Sequence, residues 1–265
     1  MDLGLGGKRA IVTGASRGIG LAVAHALARE GAQVALVARD PQVLAGAAAA
    51  VGAHGARVLV VPADTRDDAA VRAMVATVVA ELGGVDVLVN AAARPASAGP
   101  VPTLAELTDD ALREEVETKV LGYLRCARAV APHLVAQGWG RIINISGLNA
   151  RQAGSLVGSV RNVAVAAMTK NLADELGRHG VNVTVVHPGI TRTERTGAML
   201  AGRAAAAGTS EEQALADVEA GISIGRLVTA DEVADVVTFL ASPRSVAVNG
   251  DAVAAGGGAR GPIHY

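Results

Sequence analysis

The 265-residue sequence is poor in several residue types, and each scarcity excludes a class of protein. Its single cysteine, Cys126, excludes an internal disulfide framework and fits a reducing compartment. No uncharged apolar stretch of about 20 residues is present, so a membrane span is not expected. No signal peptide is visible, because the first apolar run leads directly into a glycine motif. We therefore expect a soluble, cytoplasmic protein.

Charge is also scarce and nearly balanced, with a net charge of −1. Without a basic block, a nucleic-acid partner has no electrostatic support. The 6 histidines are scattered without metal-ligand spacing, so no metal site is expected. Lysine occurs only as Lys8, Lys119 and Lys170, and tyrosine only as Tyr123 and Tyr265. These two scarcities limit the proton-transfer groups that the chain can offer.

Short apolar runs rich in Val and Ile alternate with longer segments of three- and four-residue apolar spacing. The runs, which predict strands buried on both faces, are 9–13, 33–38, 57–62, 85–90, 141–146 and 181–188. The spacing predicts helices between them, for example over 67–82 and 114–138. Such alternation predicts an α/β fold, with a doubly wound parallel sheet and helices on both faces. Length and composition, with 51% apolar residues, fit one domain over residues 1–265.

Residues 193–222 interrupt this alternation with a long, Ala-rich, charged segment of helical character. We interpret the segment as a substrate lid, because long excursions within a compact domain are often functional. The alternative is a solvated surface insertion. Arg192 and Arg195, at its start, would then meet either an anionic substrate group or only water.

The segment "TGASRGIG" (13–20) follows the first predicted strand and opens a helix. Gly14 would let the chain turn, Gly18 would let the backbone approach a pyrophosphate, and Gly20 would let helix and strand pack closely. The free N–H groups of the helix N-terminus would then point at the phosphates. The sequence therefore predicts a dinucleotide site.

With this motif, the chain resembles the short-chain dehydrogenase/reductase family over nearly its full length. Thr13 and the glycines fit the family pattern TGxxxGxG, "VNAAA" (89–93) stands in place of NNAG, and "HPGITRT" (187–193) fits PGxxxT. The resemblance implies a Rossmann-type sheet of about seven strands, with Asp64 on the adenine. It also implies a homodimer or homotetramer assembled through segments 109–137 and 156–179. The cofactor-binding residues that it implies are Gly14, Ser16, Arg17, Gly18, Ile19, Gly20, Arg39, Asp64, Thr65, Asn90, Ala91, Pro188, Gly189, Ile190 and Thr193.

The choice of dinucleotide depends on the end of the second strand. The family places there an acid that holds the ribose 2′-hydroxyl of NAD, and this chain has Ala38 followed by Arg39. Arg39 and Arg17 are two guanidinium groups suited to a 2′-phosphate, although Asp40 could partly cancel their charge. We expect NADP(H) to be favoured over NAD(H).

The resemblance also locates the family's catalytic serine, tyrosine, lysine and asparagine. Their positions hold Gly147, Gly158, Asn162 and Lys119, respectively. No tyrosine lies between Tyr123 and Tyr265, so no shift of alignment supplies the usual tyrosine–lysine pair.

The family has an asparagine on the earlier of two helices and a lysine on the later one, whereas this chain has Lys119 and Asn162 at these positions. One amine and one amide are therefore retained, with their positions exchanged. Lys119 could therefore hold the nicotinamide ribose and act as a general acid, with a pKa lowered by burial. Alternatively, it extends from a subunit interface into water. Tyr123 is interpreted as a packing residue. The candidates for catalysis are Lys119, Asn162, Ser146 and Ser155. Asn149, Ser155 and Ser159 flank the tyrosine position and are candidates for substrate binding.

The favoured hypothesis is an NADP(H)-dependent oxidoreductase with a rebuilt active site, acting on a small or cyclic carbonyl or alcohol substrate. One alternative is a catalytically silent relative that binds nucleotide and works through partners. Another is a non-redox dehydratase or cyclase that uses the same pocket.

Overall fold

The computed structural model describes residues 1–93 and 101–261. The strands in these two stretches are β1 Arg9–Thr13, β2 Gln33–Ala38, β3 Val58–Pro62, β4 Val87–Asn90, β5 Gly140–Ile145, β6 Val181–Pro188, β7 Thr191–Arg192, β8 Val228–Thr229 and β9 Ala252–Ala255. The α-helices are α1 Gly18–Arg29, α2 Pro41–Gly52, α3 Asp68–Leu82, α4 Asp109–Glu115, α5 Gly122–Ala136, α6 Leu156–Leu176, α7 Thr196–Ala207, α8 Glu211–Ala220 and α9 Ala230–Ala241.

Seven strands form one parallel sheet in the order β3-β2-β1-β4-β5-β6-β9. The strand order reverses between β1 and β4, which places a crevice outside their carboxyl ends. The α/β, doubly wound fold that the sequence predicts is confirmed. Strands β7 and β8 form a separate parallel pair.

Helices cover both faces of the sheet, and each face has its own hydrophobic core. Along β1, the side chain of Val12 packs into one core and that of Ile11 into the other. Helix α1 contributes Leu27 to the first core, and α3 contributes Met74 to the second. The strands read as continuous apolar runs because their two faces are both buried.

The helices begin at the polar residues that can cap them. Asp67 accepts hydrogen bonds from the first N–H groups of α3, and Thr229 forms a capping box with Glu232 at the start of α9. The segment predicted as one long helix over 109–137 is interrupted by a π-helical turn at Val116–Leu121. The turn carries an extra residue, which shifts the helix phase and brings Lys119 inward.

Segment 193–222 contains α7 and α8, which pack on each other through a small core of Leu200, Ala204 and Ala214. It leaves the fold directly after β7, and β8 follows it in the chain. In the part of the chain that the structure describes, no helix has the length and apolarity needed to cross a membrane.

Candidate active site

The glycine loop between β1 and α1 adopts a backbone that only glycine allows at two positions. Gly14 and Gly18 have φ angles of +68° and +55°. A Cβ atom on Gly14 would lie 2.7 Å from the carbonyl oxygen of Ala91, and one on Gly20 would lie 2.4 Å from that of Gly14. The loop therefore folds tightly against β4 and against its own helix, and the N-terminus of α1 faces the crevice. This backbone fits a dinucleotide pyrophosphate.

A buried polar network fixes the floor of the crevice. Thr13 Oγ1 accepts hydrogen bonds from the backbone N–H groups of Ala91 and Ala92, at 3.1 and 3.3 Å. Asn90 Nδ2 donates to Asn144 Oδ1 at 3.0 Å, and Asn144 Nδ2 donates to the Thr169 hydroxyl at 2.9 Å. The amide nitrogen of Asn90 is thus engaged inside the protein, whereas its buried Oδ1 has no partner among the described residues.

Two arginines near the predicted 2′-phosphate position are exposed. Arg39 follows the strand, and Arg17 precedes α1. The Asp40 carboxylate caps α2, accepting from the N–H groups of Gln42 and Val43, at 2.9 and 3.2 Å. The Asp40 carboxylate is therefore held at the helix end. This position weakens the expectation from the sequence that Asp40 partly cancels the charge of Arg39.

Asp64 follows β3 and accepts hydrogen bonds from the backbone N–H and guanidinium of Arg66. These bonds, with a smaller contribution from Arg39, hold the pKa of Asp64 below its usual value. Thr65 beside it is buried. An ionised carboxylate therefore stands at the crevice end where the resemblance places adenine.

The opposite end of the crevice is formed by the turn after β6. Gly189 packs so closely on Gly256 that a Cβ there would lie 3.0 Å from the Gly256 Cα. Thr193, whose N–H donates to Thr196 Oγ1 at 2.8 Å, places its Cγ2 3.8 Å from the Cβ position of Gly18. The PGxxxT motif therefore closes over the glycine loop.

Lys119 lies in the π-helical turn and is 4% exposed. Its Nζ donates to the carbonyl oxygen of Ser146 at 2.9 Å and to Asn162 Oδ1 at 3.3 Å. Burial, with help from the charge of Arg161 and against that of Glu115, lowers the pKa of Lys119 to about 7. The side chain therefore exchanges a proton near neutral pH. Among the described residues, its ammonium has two acceptors for three N–H bonds.

Asn162 and Ser146 complete this cluster from α6 and the end of β5. The hydroxyl of Ser146 donates to the backbone oxygen of Asn162 at 3.1 Å. A Cβ atom on Gly147 would lie 2.9 Å from Asn162 Nδ2. The Asn162 amide therefore occupies space that any side chain at position 147 would need.

Two hydroxyl groups considered in the sequence analysis, those of Ser155 and Tyr123, form hydrogen bonds within the protein. Ser155 caps α6, and its Oγ accepts from the N–H of Gly158 at 3.1 Å. Tyr123 is buried, donates to the carbonyl oxygen of Ile145 at 2.9 Å, and has its pKa raised by burial. The Tyr123 side chain is therefore a packing group, and Tyr265 lies outside the described residues.

The sequence analysis named Asn149 as a candidate for substrate binding beside the tyrosine position. The structure puts its side chain against Gly158, where a Cβ would lie 2.8 Å from Asn149 Nδ2. No group of three or more metal-ligating side chains occurs in residues 1–93 and 101–261.

Comparison with known proteins identifies the family. The pattern described as "short chain dehydrogenase" matches residues 8–204. The chain belongs to the short-chain dehydrogenase family and is an oxidoreductase. It is 36% identical to the short-chain reductase protein NovJ of Streptomyces niveus over 94% of this chain and 92% of that one.

Solved structures of similar proteins include reductases with NADPH bound. L-sorbose reductase from Gluconobacter frateurii, complexed with NADPH and L-sorbose, superposes with a TM-score of 0.90 at 31% identity, covering 99% of this chain and 100% of that one. An actinorhodin polyketide ketoreductase variant with NADPH gives 0.88 at 33% identity, covering 94% and 96%. An NAD+-bound xylitol dehydrogenase, 23% identical, shares the fold with a TM-score of 0.87, covering 96% and 100%. The fold thus occurs with either dinucleotide.

Proposed function

We propose that this oxidoreductase uses NADP(H) to interconvert a small or cyclic ketone and its alcohol, with a proton-transfer site rebuilt around Lys119. The observation that carries the proposal is the contact of the Lys119 amine with Asn162 Oδ1 and the Ser146 carbonyl. A buried amine at the carboxyl end of β5 can supply the proton that carbonyl reduction requires.

The contacts among the exchanged residues support rebuilding over random loss. Asn162 accepts from Lys119, and its amide nitrogen fits only because position 147 is glycine. Positions 119, 147 and 162 differ from the family pattern, and the residue at each of them therefore limits what the neighbouring one can be. Random loss of the catalytic residues would not be expected to leave contacts that depend on one another in this way.

When bound, NADPH supplies a hydride to the carbonyl carbon. Lys119 supplies the matching proton to the developing alkoxide, directly or through a water molecule. Because the pKa of Lys119 is about 7, its ammonium form serves ketone reduction below that pH. Its neutral amine accepts the proton in alcohol oxidation above that pH.

The preference for NADP(H) is supported by the exposed guanidinium groups of Arg17 and Arg39, by the lack of a carboxylate at Ala38, and by the Asp40 carboxylate capping α2. A 2′-phosphate carries the charge that these guanidinium groups favour. The NADPH complexes of the sorbose reductase and the polyketide ketoreductase agree with this assignment. The ketone class of substrate is proposed by analogy with these two relatives, a sorbose reductase and a polyketide ketoreductase.

We also propose a homodimer or homotetramer, with segment 193–222 as the substrate lid of each subunit. Helix α6 exposes Leu156, Val160 and Val163, and an exposed apolar face of this kind favours association with a second copy. The lone, buried Cys126 agrees with a reducing, cytoplasmic location.

The experiment compares Lys119→Met with Lys170→Met, the same change at an exposed lysine paired with Asp174. Reduction of cyclohexanone and of larger cyclic ketones is followed by loss of NADPH absorbance, and NADPH affinity by calorimetry. Lys119→Met should lower turnover roughly a hundredfold or more. If Lys119 also holds the ribose, NADPH affinity should fall by about ten- to a hundredfold.

The pH profile separates proton transfer from packing. Ketone reduction by the wild type should decline as pH rises through about 7, and alcohol oxidation should increase over the same range. Lys119→Met should lose both inflections while keeping the wild-type circular dichroism. Unchanged turnover in Lys119→Met would refute the proposal. NADPH binding without turnover on any ketone would favour the silent nucleotide-binding relative.

A further inference from the structure

The space beside Gly158 is filled by another side chain. Gly158 is buried in the first turn of α6, and a Cβ atom there would lie 2.8 Å from Asn149 Nδ2 and 3.0 Å from Ser155 Oγ. Real side chains do not tolerate the first of these distances. Any residue other than glycine at 158 would therefore displace the Asn149 carboxamide.

Asn149 differs from the other asparagines of the chain in its hydrogen bonding. All seven asparagines lie within the described residues, and the other six use their side-chain amides in hydrogen bonds there: Asn90, Asn144, Asn162, Asn171, Asn182 and Asn249. The carboxamide of Asn149 makes no hydrogen bond to another described residue, and the residue is only partly buried. Its donors and acceptor are therefore available to a ligand.

The turn that carries Asn149 is anchored against the turn after β6, at the end of the crevice opposite Asp64. Asn149 lies in a 3₁₀ turn, Leu148–Ala150, immediately after the extended residue Gly147. Leu148 Cδ1 packs against the turn after β6, 3.3 Å from the Cβ position of Gly189 and 2.6 Å from that of Gly256. This packing holds the Asn149 backbone in place.

We propose that Asn149 is a substrate-binding residue, whose carboxamide occupies the space beside Gly158 and bonds the reacting oxygen of the ketone or alcohol. The inference rests on the proposed function. An amide N–H donates to a carbonyl oxygen, and the amide oxygen accepts from a hydroxyl, so one residue recognises both substrate and product. Because a carboxamide does not titrate, Asn149 orients the oxygen, and Lys119 moves the proton.

This division of roles gives the two residues different kinetic signatures. Loss of Asn149 should raise the KM for ketone at every pH and leave the pH inflection of turnover in place. Loss of Lys119 should remove that inflection. A purely structural role for Asn149 would instead lower stability without a selective effect on KM.

The test is a double-mutant cycle between Asn149→Ala and Gly158→Ala, with cyclohexanone as the probe. Each single variant should raise KM about two- to tenfold, the effect of one lost uncharged hydrogen bond, with NADPH affinity unchanged. The double variant should be no worse than either single variant, because both remove the same amide. Asn171→Ala, on the exposed side of α6, is the matched control and should leave KM unchanged. Additive effects, or an unchanged KM in Asn149→Ala, would overturn the role of Asn149.

A binding measurement keeps this inference separable from the proposed function. In the 15N-labelled wild type saturated with NADP+, which cannot reduce the ketone, cyclohexanone should shift one side-chain amide resonance. That resonance should be missing in Asn149→Ala. A shift without turnover in the presence of NADPH would support Asn149 and refute the proposed reaction. Turnover without a shift would support the reaction and refute Asn149.

Discussion

The substitution Gly147→Ser, which introduces the serine that the resemblance implies for this position, should damage the candidate site. The substitution Gly147→Ser places a Cβ atom 2.9 Å from Asn162 Nδ2, a distance that real side chains do not show. Gly147 has a φ angle of 175°, which is extended backbone that serine adopts readily. The effect of the substitution therefore comes from the contact with Asn162 and not from backbone strain.

The size of the expected loss of stability and turnover follows from the hydrogen bond that Lys119 donates to Asn162. When its amide moves, Lys119 loses the acceptor at 3.3 Å and retains only the Ser146 carbonyl at 2.9 Å. A hydrogen bond to a charged group contributes about 1.5–3 kcal/mol, and the long distance favours the lower end. We expect Gly147→Ser to lower the free energy of unfolding by about 1.5 kcal/mol and turnover by about tenfold.

Urea unfolding and ketone reduction measure the two effects. Asn162→Ala removes the clash and the bond together, so Gly147→Ser combined with Asn162→Ala should resemble Asn162→Ala alone. Gly46→Ser, at a helical position with open space around it, is the matched control and should not destabilise the protein. Unchanged stability and turnover in Gly147→Ser would refute the interdependence of Gly147, Asn162 and Lys119.

Two further predictions concern the cofactor, and calorimetric titration checks both. Arg39→Asp should erase or reverse the preference for NADPH over NADH, because it replaces a cation near the 2′-phosphate with an anion; equal wild-type affinities would contradict the assignment. Glu194→Gln should tighten NADPH binding severalfold at low salt, since the Glu194 carboxylate oxygens lie 4.0 Å from the Cβ position of Gly18, beside the expected pyrophosphate. Glu212→Gln, on α8, should leave the affinity unchanged, and an equal effect of both substitutions would point to net charge alone.

The fold could be predicted from the sequence because strands buried on both faces leave a simple pattern of apolar runs. Element ends were harder to place, as the predicted strand 85–90 shows. The strand begins at Val87, and Asp86 before it joins the neighbouring strands through both backbone and side chain. Its N–H donates to the Arg9 carbonyl at 2.8 Å, and its carboxylate accepts from the backbone N–H and guanidinium of Arg9, at 2.9 and 2.6 Å. Single-residue ion pairs of this kind carry no periodic signal.

The site was less predictable, because its contacts depend on distances between segments far apart in the chain. The exchange of amine and amide between Lys119 and Asn162 is a prediction from the resemblance to the family pattern. The exclusion of side chains at Gly147 and Gly158 could not be predicted, since it follows from where two asparagine amides lie. Ser155 did carry a local signal, because a serine directly before a predicted helix is a favoured N-cap. Its catalytic role stays a prediction.

Because β7 pairs with β8, the segment between these strands begins and ends at the same place on the fold. Thr191 pairs with Val228 and Arg192 with Thr229, so residues 193–227 leave and rejoin the fold at adjacent points. Lengthening a loop whose ends are already held together costs little chain entropy, and α7 and α8 carry an apolar cluster of their own. Changes within α7 and α8 should therefore leave the seven-stranded sheet intact, whereas Thr193 and residues 222–224 contact the glycine loop and the chain after β9. Grafting α7 and α8 between relatives consequently tests the proposed lid, because the substrate range should change while dinucleotide binding is kept.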